Sequence, residues 1–239
     1  LLRDKGSMLG KLVTDNEDVP FFDPNVTDLI AEVSINEVKE YKTQINPNNA
    51  PTVVVVDCGC KTNILRSLLN RGLNLVVVPH DYYFLDIKYD GLFLANGPGD
   101  PMTAHAAIKH TSHALALSKP IFGICMGNQI LSLAAGAETY KLKFGHRGHN
   151  QPCLENVEDK YKRRCAITSQ NHGYAVKASS LPKGWEVWFE NANDGSVEGI
   201  RHTSKPFMSV QFHPEAAPGP VDSAWIFDDF AALVKEGVR

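Results

Sequence analysis

Three segments carry residue types suited to acyl-transfer chemistry. Cys125 lies in Gly123-Ile124-Cys125-Met126-Gly127, directly after the apolar run Pro120-Ile121-Phe122 and before the helix-like run Gln129-Ile130-Leu131-Ser132-Leu133-Ala134-Ala135. A strand that turns into a helix at Gly-x-Cys-x-Gly is the thiol form of a nucleophile elbow. Small flanking residues allow a strained turn that pushes the side chain out above the sheet. The turn also sets the thiol at a helix N-terminus, where the dipole and free N–H groups favour a thiolate and can hold an oxyanion. Taken alone, the same motif more often describes a buried core cysteine before a glycine turn.

Near the C-terminus, Ser209-Val210-Gln211-Phe212 predicts a strand that runs into His213-Pro214-Glu215. Proline fixes its own backbone and drives His213 to an extended conformation, so His213 and Glu215 project from one face and the carboxylate can orient the imidazole. Cys125, His213 and Glu215 then supply nucleophile, base and orienter, the parts of a catalytic triad. His-Pro-Glu by itself is an ordinary strand-end turn; its coincidence with a cysteine elbow in one chain favours catalysis. The third segment, Tyr89 to Ala95, predicts a buried strand ending in Asn96-Gly97-Pro98-Gly99-Asp100-Pro101. Its glycines allow close approach of a ligand, and Gly97 N–H is a candidate second oxyanion donor beside Met126 N–H. Its composition also fits a plain strand-to-helix turn.

Alternating elements must position these residues. Val53 to Val56, Leu75 to Val78, Leu92 to Ala95 and Ile121 to Gly123 predict strands; 63–70 and Thr103 to Leu117 predict helices. Such alternation predicts an α/β fold with a doubly wound, mostly parallel sheet, whose ligands bind at the carboxyl ends of the strands. Cys125 and Gly97 fall at such ends. From about Tyr140 to Gln211 the pattern shortens into β-like pieces, among them 186–189 and 199–201, and 222–234 predicts a closing amphipathic helix. Residues 1–45 differ: Gly6 to Val13 predicts a strand and Asp28 to Val33 a short helix, too little to bury a core. The linker is expected at 46–51, Asn-Pro-Asn-Asn-Ala-Pro.

A chain of 239 residues with 43 % hydrophobic content can build one substantial core or two small ones. Its formal net charge of −3 implies no basic face, so nucleic acid is not an expected partner. Five cysteines without framework spacing argue for free thiols in a reducing compartment, with a cytoplasmic location expected. Cys58-Gly59-Cys60 lacks the spacing of a zinc half-site, and no metal is expected. No apolar run reaches the ~18 residues of a membrane helix, so no membrane partner is expected.

Asn96 to Pro101, Gly-Ile-Cys-Met-Gly-Asn-Gln at 123–129 and Gln-Phe-His-Pro-Glu at 211–215 together resemble the class I, triad-type glutamine amidotransferases. Asp57 to Arg66, His146 to Pro152 and Thr168 to Tyr174 look like one branch, the glutaminase domain of glutamine-dependent carbamoyl-phosphate synthetase. The resemblance covers nearly everything from residue 51 onward. It implies hydrolysis of L-glutamine through a thioester, with the ammonia feeding carbamoyl phosphate synthesis for pyrimidines or arginine. The partner is then a synthetase domain or subunit that carries ATP and Mg; this chain has no Gly-x-x-x-x-Gly-Lys-Ser/Thr loop. It further implies that 1–45 close an N-terminal domain, that 52–239 form the amidotransferase domain, and that one substrate contact precedes residue 1. Glutamine recognition is implied for Gln129, Asn171, Gly173 and Tyr174, with Gly97, Gly99 and Met126 N–H near its polar groups. Gln129 reads equally as the start of a helix, and Asn171-His172-Gly173 as a turn. Lys61 and Asn63 are expected to serve fold or interface, and His146, His149 and His172 to lie on the surface or in loops. Asn128 departs from the histidine common in the family, a change expected to lie away from the triad. Other readings are a glutaminase serving another amidotransferase, a γ-glutamyl hydrolase, or a non-catalytic regulatory domain.

Overall fold

The run Val53 to Val56 has no polar position on either face, as a strand covered on both sides requires. The computed structural model describes residues 1–15, 17–157 and 163–237, so 158–162 and the last two residues of the expected 52–239 domain lie outside the described residues. In chain order the elements are α1 (Leu2–Lys5), α2 (Leu29–Val33), β1 (Lys39–Tyr41), β2 (Thr52–Asp57), α3 (Thr62–Leu69), β3 (Asn74–Pro79), β4 (Gly91–Leu94), α4 (His105–Ala114), β5 (Ile121–Ile124), α5 (Met126–Ala134), β6 (Thr139–Glu155), β7 (Cys165–Val176), β8 (Trp185–Asn191), β9 (Val197–His202), β10 (Phe207–Val210) and α6 (Ile226–Glu236). Among the described residues they form one sheet in the order β1-β3-β2-β4-β5-β10-β9-β7-β6-β8.

Side chains of β2 alternate between two cores. Val53 and Val55, with Phe93 and Phe122, pack against Ile64 and Leu68 of α3 and Phe227 and Phe230 of α6. Val54 and Val56, with Leu92 and Leu94, pack against Ala107 of α4 and Ile130 of α5. Each fully buried apolar side chain contributes roughly 1.5–3 kcal/mol, so both helical layers are held firmly to the strand ends that carry the elbow.

The sheet is mixed rather than mostly parallel. β3, β2, β4, β5 and β10 run parallel, whereas β1 is an antiparallel edge and β9, β7, β6 and β8 are antiparallel. The physical reason is the connections. Helical crossovers end with α5, and from β6 onward the chain returns mainly by hairpins, which join antiparallel neighbours. Of the β-like pieces expected after Tyr140, 186–189 and 199–201 fall within the short strands β8 and β9, whereas the stretch before them forms a 17-residue β6 and a 12-residue β7, because cross-strand pairing sustains strands whose sequence period is broken by bulges. β8 pairs with both β6 and β9, so this half curls on itself.

Three other boundaries differ from expectation. No strand forms at 6–13, where Leu12 is 92 % exposed; a lone apolar run without a partner ladder stays irregular. β10 stops at Val210, since Gln211 N–H bonds to Glu198 O and His213 N–H to Ser169 O, turning the chain toward β9 and β7. The last helix starts at Ile226 rather than Asp222, whose carboxylate accepts the Ile167 N–H. β1 ties the N-terminal stretch to the sheet, and Ile30 of α2 joins the second core. No described helix is long and apolar enough to cross a membrane.

Candidate active site

β5 ends at Ile124, and Cys125 takes φ 54°, ψ −101° as the residue preceding α5. Positive φ in a non-glycine residue is strained and needs support. Cys125 N–H donates to Val210 O at 2.9 Å, and its carbonyl accepts from the Asn128 and Gln129 amides. The flanking glycines are obligatory for a steric reason: a Cβ on Gly127 would lie 2.0 Å from Leu94 O, and one on Gly123 2.4 Å from Gly127 O. Residue type and spacing thus both follow from how closely β4, β5 and α5 approach.

His213 and Glu215 are buried where the chain leaves β10, and His213 Nδ1–H donates to Glu215 Oε1 at 2.7 Å. His213 and Cys125 line a common cavity. Burial disfavours the charged imidazole, but Cys125 and Glu215 outweigh it and raise His213 to about 10. For Glu215, burial works to raise its value, and the His213 hydrogen bond and Lys61 charge hold it below the ordinary glutamate value instead. Lys61 Nζ lies 3.4 Å from Glu215 Oε1, and Asn63 Nδ2 donates to the Glu215 carbonyl at 2.6 Å. Both touch the third member of the arrangement. Their position at the carboxyl end of β2 was the available signal, since ligand sites in such sheets gather at those ends.

A cavity of about 480 Å³ opens beside Cys125. Its lining includes every residue expected to recognise substrate: Gly97, Gly99, Met126, Gln129, Asn171, Gly173 and Tyr174. Gly97 is confined by Cys58, whose carbonyl oxygen would lie 2.1 Å from a Cβ there. Among the described residues, neither Gly97 N–H nor Met126 N–H has a protein acceptor. The Gln129 side-chain amide donates to Tyr174 O and Gln211 Oε1, and among the described residues its oxygen has no hydrogen-bond donor. Ser7 to Leu9 and Asp23 to Asn25 also line the cavity. The sequence offers no motif for this; Asn25 is fixed there by Tyr174 Oη and Lys141 Nζ. A second cavity of about 300 Å³, lined by Lys61, Asn96 and His213, meets the first at Gly97, Pro98, Cys125 and Asn171.

Asn128 is fully buried, donating to Gln211 Oε1 and accepting from Ser209 Oγ, which binds α5 to β10 away from the His213–Glu215 pair. Of the three histidines expected on the surface or in loops, His149 is exposed, in a strand and bonded to Ser169 Oγ. The other two depart from expectation: His172 is buried in β7 and His146 is half-buried in β6. Their surroundings explain it, because a buried acid from β9, Glu198, compensates the ring polarity. His146, His172 and Glu198 have ligand atoms within 4.8 Å of one another, the one described His/Cys/Asp/Glu grouping with metal-like spacing.

The model of the glutamine amidotransferase class-I family matches residues 54–233. Multifunctional protein CAD of Squalus acanthias is 51 % identical over 100 % of this chain and 11 % of the relative. Multifunctional protein pyr1-3 of Dictyostelium discoideum is 49 % identical over 96 % of the chain and 11 % of the relative. Mitochondrial carbamoyl-phosphate synthase [ammonia] of Homo sapiens is 47 % identical over 99 % and 15 %. The chain thus spans 11 to 15 % of the length of these relatives. A Thermoplasma acidophilum protein described as a GMP synthase subunit superposes with a TM-score of 0.67 at 23 % identity, covering 79 % of this chain and 96 % of that one, a likeness of fold. A family match that runs from β2 into α6 and takes in both the cysteine elbow and the His-Pro-Glu segment makes this chain a member of the class I glutamine amidotransferases.

Proposed function

We propose that the chain hydrolyses L-glutamine to glutamate and ammonia, and that the ammonia is used for carbamoyl phosphate synthesis on a synthetase domain or subunit. The observation that carries this reading is the convergence of Cys125, His213 and Glu215 beside a cavity large enough for an amino acid. The Cys125 thiolate attacks the side-chain carboxamide carbon, and the resulting oxyanion accepts from Gly97 and Met126 N–H. As the C–N bond breaks, the His213 imidazolium gives its proton to the departing ammonia, leaving a glutamyl thioester on Sγ. Neutral His213 then takes a proton from water; the hydroxide adds to the thioester, the C–S bond breaks, and glutamate leaves with the thiolate–imidazolium pair restored. Glu215 keeps the proton on Nδ1 and stabilises the imidazolium. Gln129, Asn171, Gly173 and Tyr174 hold the amino acid end of the substrate, with Gly97 and Gly99 beside its carboxamide.

The synthetase assignment draws on the names of the full-length relatives. In that scheme ATP and Mg belong to the synthetase part, and this chain needs no cofactor for the hydrolysis. The carbamoyl phosphate would serve pyrimidine or arginine synthesis. Free thiols at all five cysteines suit a reducing compartment, in our reading the cytoplasm. Residues 1–45 would close an N-terminal domain, with 46–51 as linker; the exposure of Leu12 and Val26 supports a covering segment there. A second reading, a domain without hydrolytic activity, has support in the ammonia-type name of the human relative. The complete Cys125, His213 and Glu215 set favours hydrolysis. In the full-length protein, Cys125→Ser is expected to abolish glutamine-dependent synthesis while synthesis from added ammonia continues. Loss of both together would give Cys125 a structural role instead.

A further inference from the structure

Glu198 is fully buried, yet the chemistry above gives it nothing to do. Burying a carboxylate costs several kcal/mol unless charge and hydrogen bonds compensate. Four strands meet on this one. His146 Nδ1 of β6 lies 3.0 Å from Glu198 Oε1, His172 Nε2 of β7 lies 3.7 Å from it, Asn191 Nδ2 of β8 donates to it at 3.3 Å, and β9 carries Glu198 itself. Asp194 holds the second nitrogen of His146 at 2.9 Å. The Glu198 hydrogen bond leads the causes that raise His146 to about 9. The same atoms are near enough to ligate a cation, but the Asn191 N–H aimed at Glu198 Oε1 and the hydrogen-bond length of the His146 contact suit protons rather than a metal ion.

What the cluster holds is the wall of the cavity. Regular pairing of β6 with β7 is interrupted between Lys141 and His146 and again between Gly148 and Gln151, which leaves 146–148 paired with 170–172 as an island. Arg147 and Asn171 face each other in that island and line the cavity; Gly173 and Tyr174 follow. With the ladder broken on both sides, side chains must set the island's position. His146 and His172 are themselves a cross-strand pair, with ring centroids 4.9 Å apart. His172 Nδ1–H also donates to Tyr174 O at 2.8 Å.

We propose that Glu198, acting through His146 and His172, is a positioning residue for the glutamine-binding wall of Asn171, Gly173 and Tyr174, an inference that rests on the glutaminase reading. It touches no reacting atom, so its removal acts on substrate binding. In the full-length protein, Glu198→Gln and His146→Gln are expected to raise KM for glutamine at least roughly fivefold while kcat changes less than about twofold. The rate at which iodoacetamide alkylates Cys125 should not change, because the elbow and His213 are untouched. His146 is only half-buried, so His146→Gln decides the matter if Glu198→Gln does not fold. An unchanged KM in folded His146→Gln overturns the proposal. So does a parallel fall in kcat and alkylation rate, which a general loss of structure would produce. Binding of one equivalent of added Zn²⁺ that His146→Gln abolishes would make the cluster a metal centre and overturn it too. Wild-type protein that alkylates at Cys125 but releases no glutamate would sink the glutaminase reading, and the proposal with it.

Discussion

Two buried glutamates each hold a histidine at hydrogen-bond distance, 2.7 Å for Glu215 with His213 and 3.0 Å for Glu198 with His146. Both have one carboxylate oxygen, Oε2, without a partner among the described residues, and both raise the imidazole above its ordinary value. They differ at the second ring nitrogen. That of His213 is left without a second acid, in a cavity wall it shares with the Cys125 thiol, whereas that of His146 meets a second carboxylate, Asp194. A histidine saturated by two acids is a fixed charge; one between an acid and a nucleophile can pass a proton. An imidazole–carboxylate pair is therefore a common means of burying polarity, and the group on its far side decides whether it does chemistry.

The contrast breaks most directly at the imidazoles. His213→Asn is expected to lower glutaminase kcat about 10³-fold, the typical worth of a general acid–base, as read by glutamate release under saturating glutamine. A comparable kcat loss from His146→Gln would erase the distinction. Exchange of the orienting acids should give a smaller, divided effect: Glu215→Gln is expected to cost roughly 10²-fold in kcat, against a KM effect alone for Glu198→Gln. Steady-state kinetics of the two variants side by side would test it, and matching profiles would count against separate roles.

The smallest effect is on stability. The His146 value is raised in the fold, so its stabilisation is complete below the ordinary histidine value of ~6.5 and is lost as pH climbs through about 9. Thermal melts of wild type and His146→Gln should accordingly differ most near pH 6 and converge above about pH 9. A gap that widens with rising pH would show that His146 is held neutral.

Much of the parallel half was legible in the sequence because its signals are local. The β-branched run of β2, the Gly-x-Cys-x-Gly elbow and a histidine two residues from its acid are each written within a few positions, and the residues expected to bind glutamine do line the cavity. The extent of the antiparallel half was not legible. Bulges break the period of β6, and a 17-residue strand with both polar and apolar faces half-exposed reads as fragments.

The sequence by itself determined which residues could attack, donate and accept, since bond chemistry resides in side-chain type and a tight turn resides in its glycines. Only the tertiary structure decided who their neighbours are. Asn63 reaches the Glu215 carbonyl across 152 positions, Asn25 reaches Tyr174 across 149, and Glu198 reaches His146 across 52. Such contacts leave no local pattern, because they arise where separately patterned elements are packed together, and burial then sets how strongly each charge is felt.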